Sequence, residues 1–578
     1  MGSVAAPTWV ALGRVAGENC AALLDSEGVE QYREMLTDAQ MPAWVAERER
    51  TASPRWIWND AAHWYTRLLN AGVRVAKCHD LRLSHAILRA STMVTNDEGI
   101  RKAIEWDASL TALTSAPVVP TLFDLADSDS GVPTLPSGLD EALEEFARQR
   151  TVVAQSQDPA RLRLLVAAES AGALIAAELT AAGVPWDVAS HERILVDVLG
   201  ERPMSGGVPP KLVQSAARVR EALGDPGANL DSPPKLLRAL HRAGILVEST
   251  SRWELSEQRH PAIEPLLEYK KLTRLLSANG WAWLSEWVSD GRFRPVYVPG
   301  GVVTGRWASS GGGALQLPRQ LRAAVRADPG WRLVVADVAQ LEPRVLAAMA
   351  GDVALADAAR GRDLYAGIVE RGAVTTRAEA KIAMLGAMYG ATTGDSGRLV
   401  PRLRRTFPRA MDLVDDAARV GEDGGIVSTW LGRSCPGPGE EWQAGQSRAT
   451  EAEASGAEVD LARRWARDRG RFTRNFVVQG TAAEWALAWL ADLRGRLAAI
   501  PPVAESTAAL RSGPVASRVP HLALFLHDEV VIHTPAVHAE LVAKAVQDAA
   551  SAAARLLFGG FPIDFPLDVR IAETAMKD

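Results

Sequence analysis

Apolar positions along the chain repeat mainly with the 3.6-residue period of α-helices. The clearest helical segments, rich in Ala, Leu and Arg, are 139–150, 160–182 and 535–558. Apolar runs typical of strands are fewer and shorter, and they lie at 293–298, 333–336 and 522–534. The pattern predicts an α-rich α/β (α+β) fold with a modest sheet.

Turn-rich polar stretches separate these segments, and we interpret them as loops or linkers. They are residues 125–137, 203–210, 224–234, 434–458 and 500–519. The stretch 434–458 is long and rich in Gly, Ser, Glu and Ala, so we predict a mobile surface excursion there. The stretch 500–519 is an insertion before the last strand-like run, and the sequence assigns it no role.

Length and composition narrow the class of protein. A chain of 578 residues is too long for one compact core, and 47% hydrophobic with 23% charged residues is ordinary globular composition. No stretch approaches the roughly 18 apolar residues of a membrane span, and the first residues lack the layout of a secretory signal. Three widely spaced cysteines argue against a disulfide scaffold. We expect a cytoplasmic protein without a membrane partner.

The net charge of −6 argues weakly against nucleic-acid binding, which usually requires a basic excess. The cations are nearly all Arg, however, and two Arg-rich runs lie at 398–409 and 461–474. Arg is well suited to phosphate recognition. A GC-biased genome or a solvated helix face would also explain Arg-rich runs. Phosphate recognition, a GC-biased genome and a solvated helix face all stay open as explanations of these runs.

Acidic residues occupy two conspicuous positions. Asp337 ends the short apolar strand LVVA and precedes a helix, in which Pro343 is tolerable only within the first turn. A single Asp at such a place is most often a helix N-cap. The apolar hairpin 521–535, however, has Asp528 and Glu529 at its tip, where ordinary turns use Asn-Gly or Asp-Gly. Carboxylates from two strands suit a paired Mg²⁺ site for phosphoryl or nucleotidyl transfer.

A third element, residues 377–391, has a chemically distinctive helix face. Arg377, Lys381, Leu385 and Tyr389 follow at steps of four and therefore share this face. Phosphates could lie on the two cations, with a base or sugar on Leu385 and Tyr389. The alternative is an amphipathic helix whose cations contact only water.

These residues resemble the motifs of family A DNA polymerases, the DNA polymerase I type. DVAQLEPR (337–344) resembles DYSQIELR, RAEAKIAMLGAMYG (377–390) resembles RRxxKxxNFGxxYG, and LHDEV (526–530) resembles VHDEL. Connecting patterns resemble the same family in the same order, at 229–237, 266–276, 304–318, 429–433 and 471–484. The resemblance runs from about residue 182 to the C-terminus.

The resemblance implies two-metal nucleotidyl transfer. Asp337 and Asp528 would hold two Mg²⁺ ions, for which Mn²⁺ could substitute, with Glu529 beside them. Arg377 and Lys381 would grip the triphosphate, and Lys381 could protonate the pyrophosphate. The residues implied to contact the incoming dNTP are Arg377, Lys381, Leu385, Tyr389, Glu342 (as a steric gate against ribose), Gln340 and His527. Those implied to contact primer-template DNA are Arg306, Arg433, Arg471, Asn475 and Gln479.

The sequence also departs from the family pattern. Leu385 stands where the family has Phe or Tyr against the sugar, so we predict weak incorporation of dideoxynucleotides. Val338, Ala339 and Pro343 also differ from the family residues around the first metal-binding Asp and the gate, and they leave the implied ligands intact.

The N-terminal third resembles the 3′–5′ exonuclease domain of the same polymerases at 55–88 and 164–187. The acidic residues that bind two metal ions in that exonuclease domain are largely missing here. The first strand offers no DxE pair, His63 replaces the second-motif Asp, and Leu165 and Glu169 replace Tyr and Asp in the third. Asp80 alone stays in register with an acid. We predict no proofreading, and we expect no 5′-nuclease domain before this one, so that a separate 5′-nuclease would be a partner.

Together these features predict a monomeric, cytoplasmic (nucleoid) DNA polymerase in repair or replication, with a ribonuclease H-like domain before a right-hand polymerase. Alternatives are a single-subunit RNA polymerase, against which Glu342 argues, and a catalytically weak scaffold that binds DNA ends. The predicted segments are 1–185 (exonuclease-like), 186–290 (thumb), 291–345 (palm, first part), 346–470 (fingers) and 471–578 (palm, second part).

Overall fold

The computed structural model describes residues 7–96, 98–107, 135–204, 206–390, 394–451 and 453–576. Its strands are β1 (Trp9–Val15), β2 (Glu18–Leu24), β3 (Glu30–Leu36), β4 (Arg55–Trp58), β5 (Lys77–Asp80), β6 (Val184–Pro185), β7 (Val288–Ser289), β8 (Arg292–Phe293), β9 (Val296–Val298), β10 (Ala308–Gly311), β11 (Trp331–Val338), β12 (His521–Leu526), β13 (Glu529–Pro535) and β14 (Leu567–Ala572).

Helices account for most of the remaining described chain. They are α1 (Met41–Thr51), α2 (Ala61–Asn70), α3 (Leu81–Ala90), α4 (Glu98–Lys102), α5 (Leu139–Ala154), α6 (Pro159–Ala182), α7 (Val188–Leu199), α8 (Pro210–Leu223), α9 (Pro233–Arg242), α10 (Arg252–Ser256), α11 (Ile263–Asn279), α12 (Trp281–Trp287), α13 (Leu341–Met349), α14 (Val353–Ala359), α15 (Leu364–Glu370), α16 (Arg377–Tyr389), α17 (Gly394–Thr406), α18 (Pro408–Glu422), α19 (Glu440–Ala449), α20 (Gly456–Ala498), α21 (Gly513–Ala516) and α22 (Ala539–Phe558). The helix-rich α/β class predicted from the sequence is confirmed.

The chain forms two compact units. The larger unit comprises Met1–Gly183, Val296–Gly311 and Gly330–Ala572, and the smaller comprises Val184–Pro295, Gly312–Pro329 and Glu573–Asp578. The predicted five-segment division stays a prediction.

The N-terminal part of the larger unit contains a five-stranded sheet in the order β3-β2-β1-β4-β5. Strands β1, β2 and β3 are antiparallel, whereas β1, β4 and β5 run parallel. In β4 the residues Trp56, Ile57 and Trp58 are all buried, because the sheet is covered on both faces. By length and composition alone α6 could cross a membrane, but 61% of its most apolar stretch is buried inside the protein.

A second sheet in the larger unit has the order β12-β13-β11-β14 and is antiparallel throughout. Its central strand β11 is apolar from Leu333 to Ala336, and these residues are buried. Helices α20 and α22 pack on each other beside this sheet. Helices α13 to α18 form a separate hydrophobic core around Ile368, Met384 and Phe407, which includes Phe476 of α20.

The smaller unit is mainly helical, from α7 to α12, with the short sheet β6-β8-β7. Its aromatic core joins Trp186, Trp283 and Phe293, with ring centroids 4.8–5.6 Å apart.

Two predicted loops differ from expectation. The segment 434–458 contains helix α19, and Gly445 on α19 lies against the ring of Trp465. Ser455 and Glu458 then form a capping box that begins α20. The insertion 500–519 packs within the larger unit, where the carbonyl of Thr507 accepts a hydrogen bond from the Trp331 indole at 2.8 Å.

Candidate active site

The two predicted metal-binding carboxylates lie side by side at one end of the second sheet. Strand β11 ends one residue after Asp337, and the two-residue turn His527-Asp528 joins β12 to β13. The amide of Val338 donates a hydrogen bond to the Asp528 carbonyl at 2.9 Å, which fixes the turn beside the strand end. Asp337 is therefore not the N-cap of α13, whose N-cap is Gln340.

Acidic residues flank Asp337 on both neighbouring strands. It pairs in register with Glu529 of β13 and with Asp568 of β14. Glu529 is buried and Asp568 is exposed. The position of Glu529 next to the Asp337–Asp528 pair agrees with the predicted one. Asp568 was not among the predicted residues, because only the sheet register brings residue 568 to this edge.

Electrostatics at this edge favour a cation. Burial, and then the negative charge of Asp337, raise the pKa of Asp528 to about 6. A divalent cation would relieve this repulsion, and Mg²⁺ is commonly held by one or two carboxylates together with waters and substrate phosphates. The residues present therefore fit such an ion. Among the described residues, no group of three or more His, Cys, Asp or Glu side chains forms a self-sufficient metal site.

A pocket of about 310 Å³ opens beside the carboxylates. Glu342 lies in its wall and is held by two neighbours: Arg306 donates to one oxygen and the Tyr389 hydroxyl donates to the other at 2.6 Å. Burial and Glu342 raise the pKa of Tyr389 above its ordinary value. His527 also lines the pocket, with a left-handed φ of 59°, and burial lowers its pKa. Four predicted residues therefore line this pocket: Arg306, Glu342, Tyr389 and His527.

Helix α16 contributes the opposite wall of this pocket. It spans Arg377–Tyr389 behind a Thr376–Glu379 capping box, which confirms the predicted helix and its shared face. Leu385 and Tyr389 line the pocket, whereas Arg377 and Lys381 do not. Lys381 is exposed to solvent.

Residues on α15 complete the site and were missed from the sequence. Asp363 caps this helix and accepts hydrogen bonds from Arg377 at 2.8 Å and from Gln340 at 3.2 Å. The ring of Tyr365 lines the pocket and lies 5.5 Å from the Arg377 guanidinium. Gln340 itself lines the pocket in a left-handed conformation. Only the tertiary packing of α15 on α16 brings these residues together.

The long helix α20 continues the site. Arg471, Asn475 and Gln479 are spaced four apart and therefore follow one face. The same helix then supplies Ala482 and Ala486 to the pocket lining. Asn475 and Gln479 are half-buried and Arg471 is exposed.

A family model described as DNA polymerase family A matches residues 211–575. The chain belongs to DNA polymerase family A. DNA polymerase I of Chloroflexus aurantiacus is 29% identical over 361 residues, which is 58% of this chain and 34% of that protein. The thermostable DNA polymerase I of Thermus aquaticus is 26% identical over 418 residues, which is 65% of this chain and 45% of that protein.

This family A chain therefore spans between about a third and a half of the length of these curated relatives. A solved structure with the same fold is the POL domain of Pol1 from M. smegmatis in complex with DNA primer-template and dNTP. Its TM-score is 0.67 at 17% identity, with 98% of this chain and 95% of that chain covered.

Arg433, expected among the family's template contacts, lies outside the pocket. Its guanidinium pairs with Glu169 at 2.5 Å, and both side chains are largely buried. The two Arg-rich runs are also partly used within the protein: Arg404 and Arg474 both pair with Asp415. The positive charge of these runs is therefore smaller at the surface than the sequence alone indicated.

Proposed function

We propose that this family A chain is a template-dependent DNA polymerase that adds deoxynucleotides to a primer 3′ end. The observation that carries the proposal is the adjacent pair of Asp337 and Asp528 beside a pocket walled by Glu342, Leu385 and Tyr389. The primer-template DNA and dNTP named with the similar solved structure support the same substrates.

Each residue has a defined task in this proposal. Two Mg²⁺ ions at Asp337 and Asp528 would supply activation of the primer hydroxyl and charge neutralisation of the triphosphate. Arg377 and Lys381 lie on the α16 face that leads to the pocket, where they bind triphosphate oxygens. Arg377 exchanges its partner Asp363 for the nucleotide in doing so.

Glu342 selects deoxynucleotides by occupying the space next to the sugar. Its carboxylate is fixed from two sides by Arg306 and Tyr389, so it cannot swing away to admit a ribose 2′-hydroxyl. Arg471, Asn475 and Gln479 contact the DNA along one face of α20.

Primer extension tests the proposal. The wild-type chain should extend a labelled primer on a DNA template with dNTPs and Mg²⁺, and Asp337→Ala and Asp528→Ala should each abolish extension. Asp548→Ala is the matched control, because the Asp548 side chain is 42% exposed on α22 and pairs with Arg496 and Lys544 outside the site. Extension that survives either of the first two substitutions would contradict the assignment.

The same assay addresses the alternatives. A single-subunit RNA polymerase would prefer rNTPs, whereas the fixed Glu342 predicts a strong preference for dNTPs. A scaffold that binds DNA ends would bind primer-template without extending it.

We further propose that the N-terminal part is an exonuclease-like domain without proofreading activity. The sheet order β3-β2-β1-β4-β5 supports the domain assignment. Asp80 is fully buried and its two oxygens accept hydrogen bonds from the backbone amides of Ala61 and Leu83, which makes it a structural cap. Glu169 is paired with Arg433. Metal-dependent degradation of a mismatched primer by an Asp337→Ala/Asp528→Ala double variant would refute this.

The broader setting is also a proposal. We infer a monomer in the cytoplasm, associated with the nucleoid, that acts in DNA repair or replication with a separate 5′-nuclease as partner. Analytical ultracentrifugation of the purified chain tests the monomer directly.

A further inference from the structure

Arg344 carries a guanidinium group that the protein encloses completely. It lies on α13, two residues after Glu342, and its side chain is 0% exposed. Arg stays charged when it is buried, so its N–H groups need acceptors and its charge needs a partner nearby. Among the described residues, the carboxylate that accepts a hydrogen bond from this guanidinium is that of Asp564, at 2.9 Å. Asp564 lies in the loop before β14, outside all of the polymerase motifs.

The guanidinium of Arg344 also joins separate stretches of backbone. At distances of 2.8–3.0 Å it donates to the carbonyls of Ala339, Ala359, Arg362 and Asp564. These carbonyls lie after β11, at the end of α14, before α15 and before β14. The second oxygen of the Asp564 carboxylate accepts a hydrogen bond from the Gly361 amide at 2.9 Å, in the turn between α14 and α15. Asp564 therefore holds both Arg344 and the turn that leads into α15.

A chain of hydrogen bonds leads from Arg344 to the wall of the polymerase pocket. The side-chain oxygen of Gln340 accepts from Arg344 at 3.4 Å and from the Leu364 amide at 3.3 Å. The side-chain nitrogen of Gln340 donates to Asp363 at 3.2 Å, and the same Asp363 oxygen accepts from Arg377 at 2.8 Å. Gln340 has a left-handed φ of 50°, a conformation that the surrounding contacts have to maintain. The buried guanidinium is thus connected with a residue proposed to bind triphosphate.

We propose that Asp564 is a positioning residue for the incoming nucleotide. Its carboxylate orients Arg344, which keeps Gln340 and Asp363 in place, and Asp363 in turn holds Arg377 beside the pocket. Ordering a long side chain on binding lowers affinity, so holding Arg377 beforehand reduces the entropy lost when it exchanges Asp363 for the triphosphate. This inference rests on the proposed polymerase function, and it concerns nucleotide binding and not the chemical step.

Single-nucleotide primer extension tests this role, with kcat and KM measured for each dNTP. In Asp564→Asn one carboxylate oxygen becomes an NH₂ group, so the side chain cannot accept from both Arg344 and Gly361. We expect KM to rise about fivefold, part of the effect of losing one charge-assisted hydrogen bond, while kcat changes by less than about twofold. The chain of contacts ends at a triphosphate-binding residue, so all four dNTPs should be affected alike. Asp564→Glu keeps both oxygens and should restore part of the lost affinity.

The split between KM and kcat separates positioning from a purely structural role. Loss of folded protein lowers kcat with the active fraction and leaves KM unchanged. Asp548→Asn is the matched control, because the Asp548 side chain is 42% exposed, against 40% for Asp564, and also pairs with an arginine. It should leave both constants at their wild-type values. An unchanged KM in Asp564→Asn overturns the inference, and so does a lowered KM, which would mean that Asp363 competes with the triphosphate.

A double variant tests whether Asp564 acts through Arg377. Arg377→Gln alone should raise KM, and the addition of Asp564→Asn should raise it by less than about twofold more, because the two residues belong to one network. An equal factor in both backgrounds overturns the inference. A wild-type chain that extends no primer overturns the proposed polymerase function together with this inference. A wild-type chain that extends primers, with a KM that Asp564→Asn leaves unchanged, overturns this inference alone.

Discussion

Glu484 provides a quantitative test of how the fold holds the 429–433 turn, which carries Arg433. Its carboxylate is fully buried on α20 and accepts hydrogen bonds from the Thr429 hydroxyl and from the Leu431 amide at 3.0 Å. Burial raises the pKa of Glu484 from 4.5 to about 7. Each pKa unit corresponds to about 1.4 kcal/mol, so ionisation of this carboxyl costs about 3 kcal/mol in the folded state.

The sign of the pH dependence follows from linkage. Below pH 4.5 the carboxyl is protonated in both states and has no effect. Between pH 4.5 and 7 mainly the unfolded state ionises, so the free energy of unfolding falls by about 1.4 kcal/mol per pH unit, and it levels off above pH 7. The amide that Glu484→Gln introduces cannot ionise, yet it can accept from Leu431 and donate to Thr429.

Thermal unfolding at pH 5.5 and pH 8.0 measures this effect. The free energy of unfolding of Glu484→Gln, relative to wild type, should rise by about 2 kcal/mol from pH 5.5 to pH 8.0. The Tm difference between variant and wild type should therefore grow by a few degrees over the same range. The control is Glu505→Gln, whose side chain is 90% exposed and which should show no such change. A Tm difference between Glu484→Gln and wild type that is equal at both pH values would refute the reasoning.

Three further predictions concern packing and specificity. Wild-type enzyme should use dideoxynucleotides poorly, and Leu385→Phe should improve their use in a chain-termination assay; strong dideoxy use by the wild type would contradict this. Gly390→Ala should lower the Tm, because φ at Gly390 is 73° and an alanine Cβ would lie 2.7 Å from Cγ of Arg471. The left-handed backbone alone should lower the free energy of unfolding by about 1–2 kcal/mol. An unchanged Tm would contradict this prediction. Arg494→Met should lower the free energy of unfolding by about 3–5 kcal/mol, because it leaves the Glu178 carboxylate without its main partner. A Tm equal to that of the wild type would contradict this prediction.

The sequence predicted the elements that carry the polymerase motifs. Helix α16 was predicted from the four-residue spacing of one face, which carries two cations, Leu385 and Tyr389. The hairpin was predicted from its acidic tip, although its turn is His527-Asp528 and Glu529 begins β13. Pro343 lies in the first turn of α13, as the rule for Pro in helices requires. These features are local, so short-range pattern was sufficient.

Long-range pairings were not predictable from pattern. Glu169 and Arg433 are 264 residues apart, and no periodicity indicates that they meet. Asp363 is the N-cap of α15, and its contact with Arg377 exists only because α15 packs on α16. Helix α19 was missed because its Gly, Ser and Glu content is typical of loops, while its packing against Trp465 is tertiary.

Helix α20 also constrains how such a chain can change in length. It runs 43 residues without a proline, about 65 Å. It carries Gln479, which we propose contacts DNA, and Arg494, which donates to the backbone carbonyls of Val75 and Ala76. One inserted residue between them would rotate one end by about 100° relative to the other, so only insertions near whole turns, such as about seven residues, keep both ends in phase. The two irregular segments, 434–458 and 500–519, lie at its two ends. We therefore expect changes in length to be tolerated at the ends of this helix and to be destabilising within it.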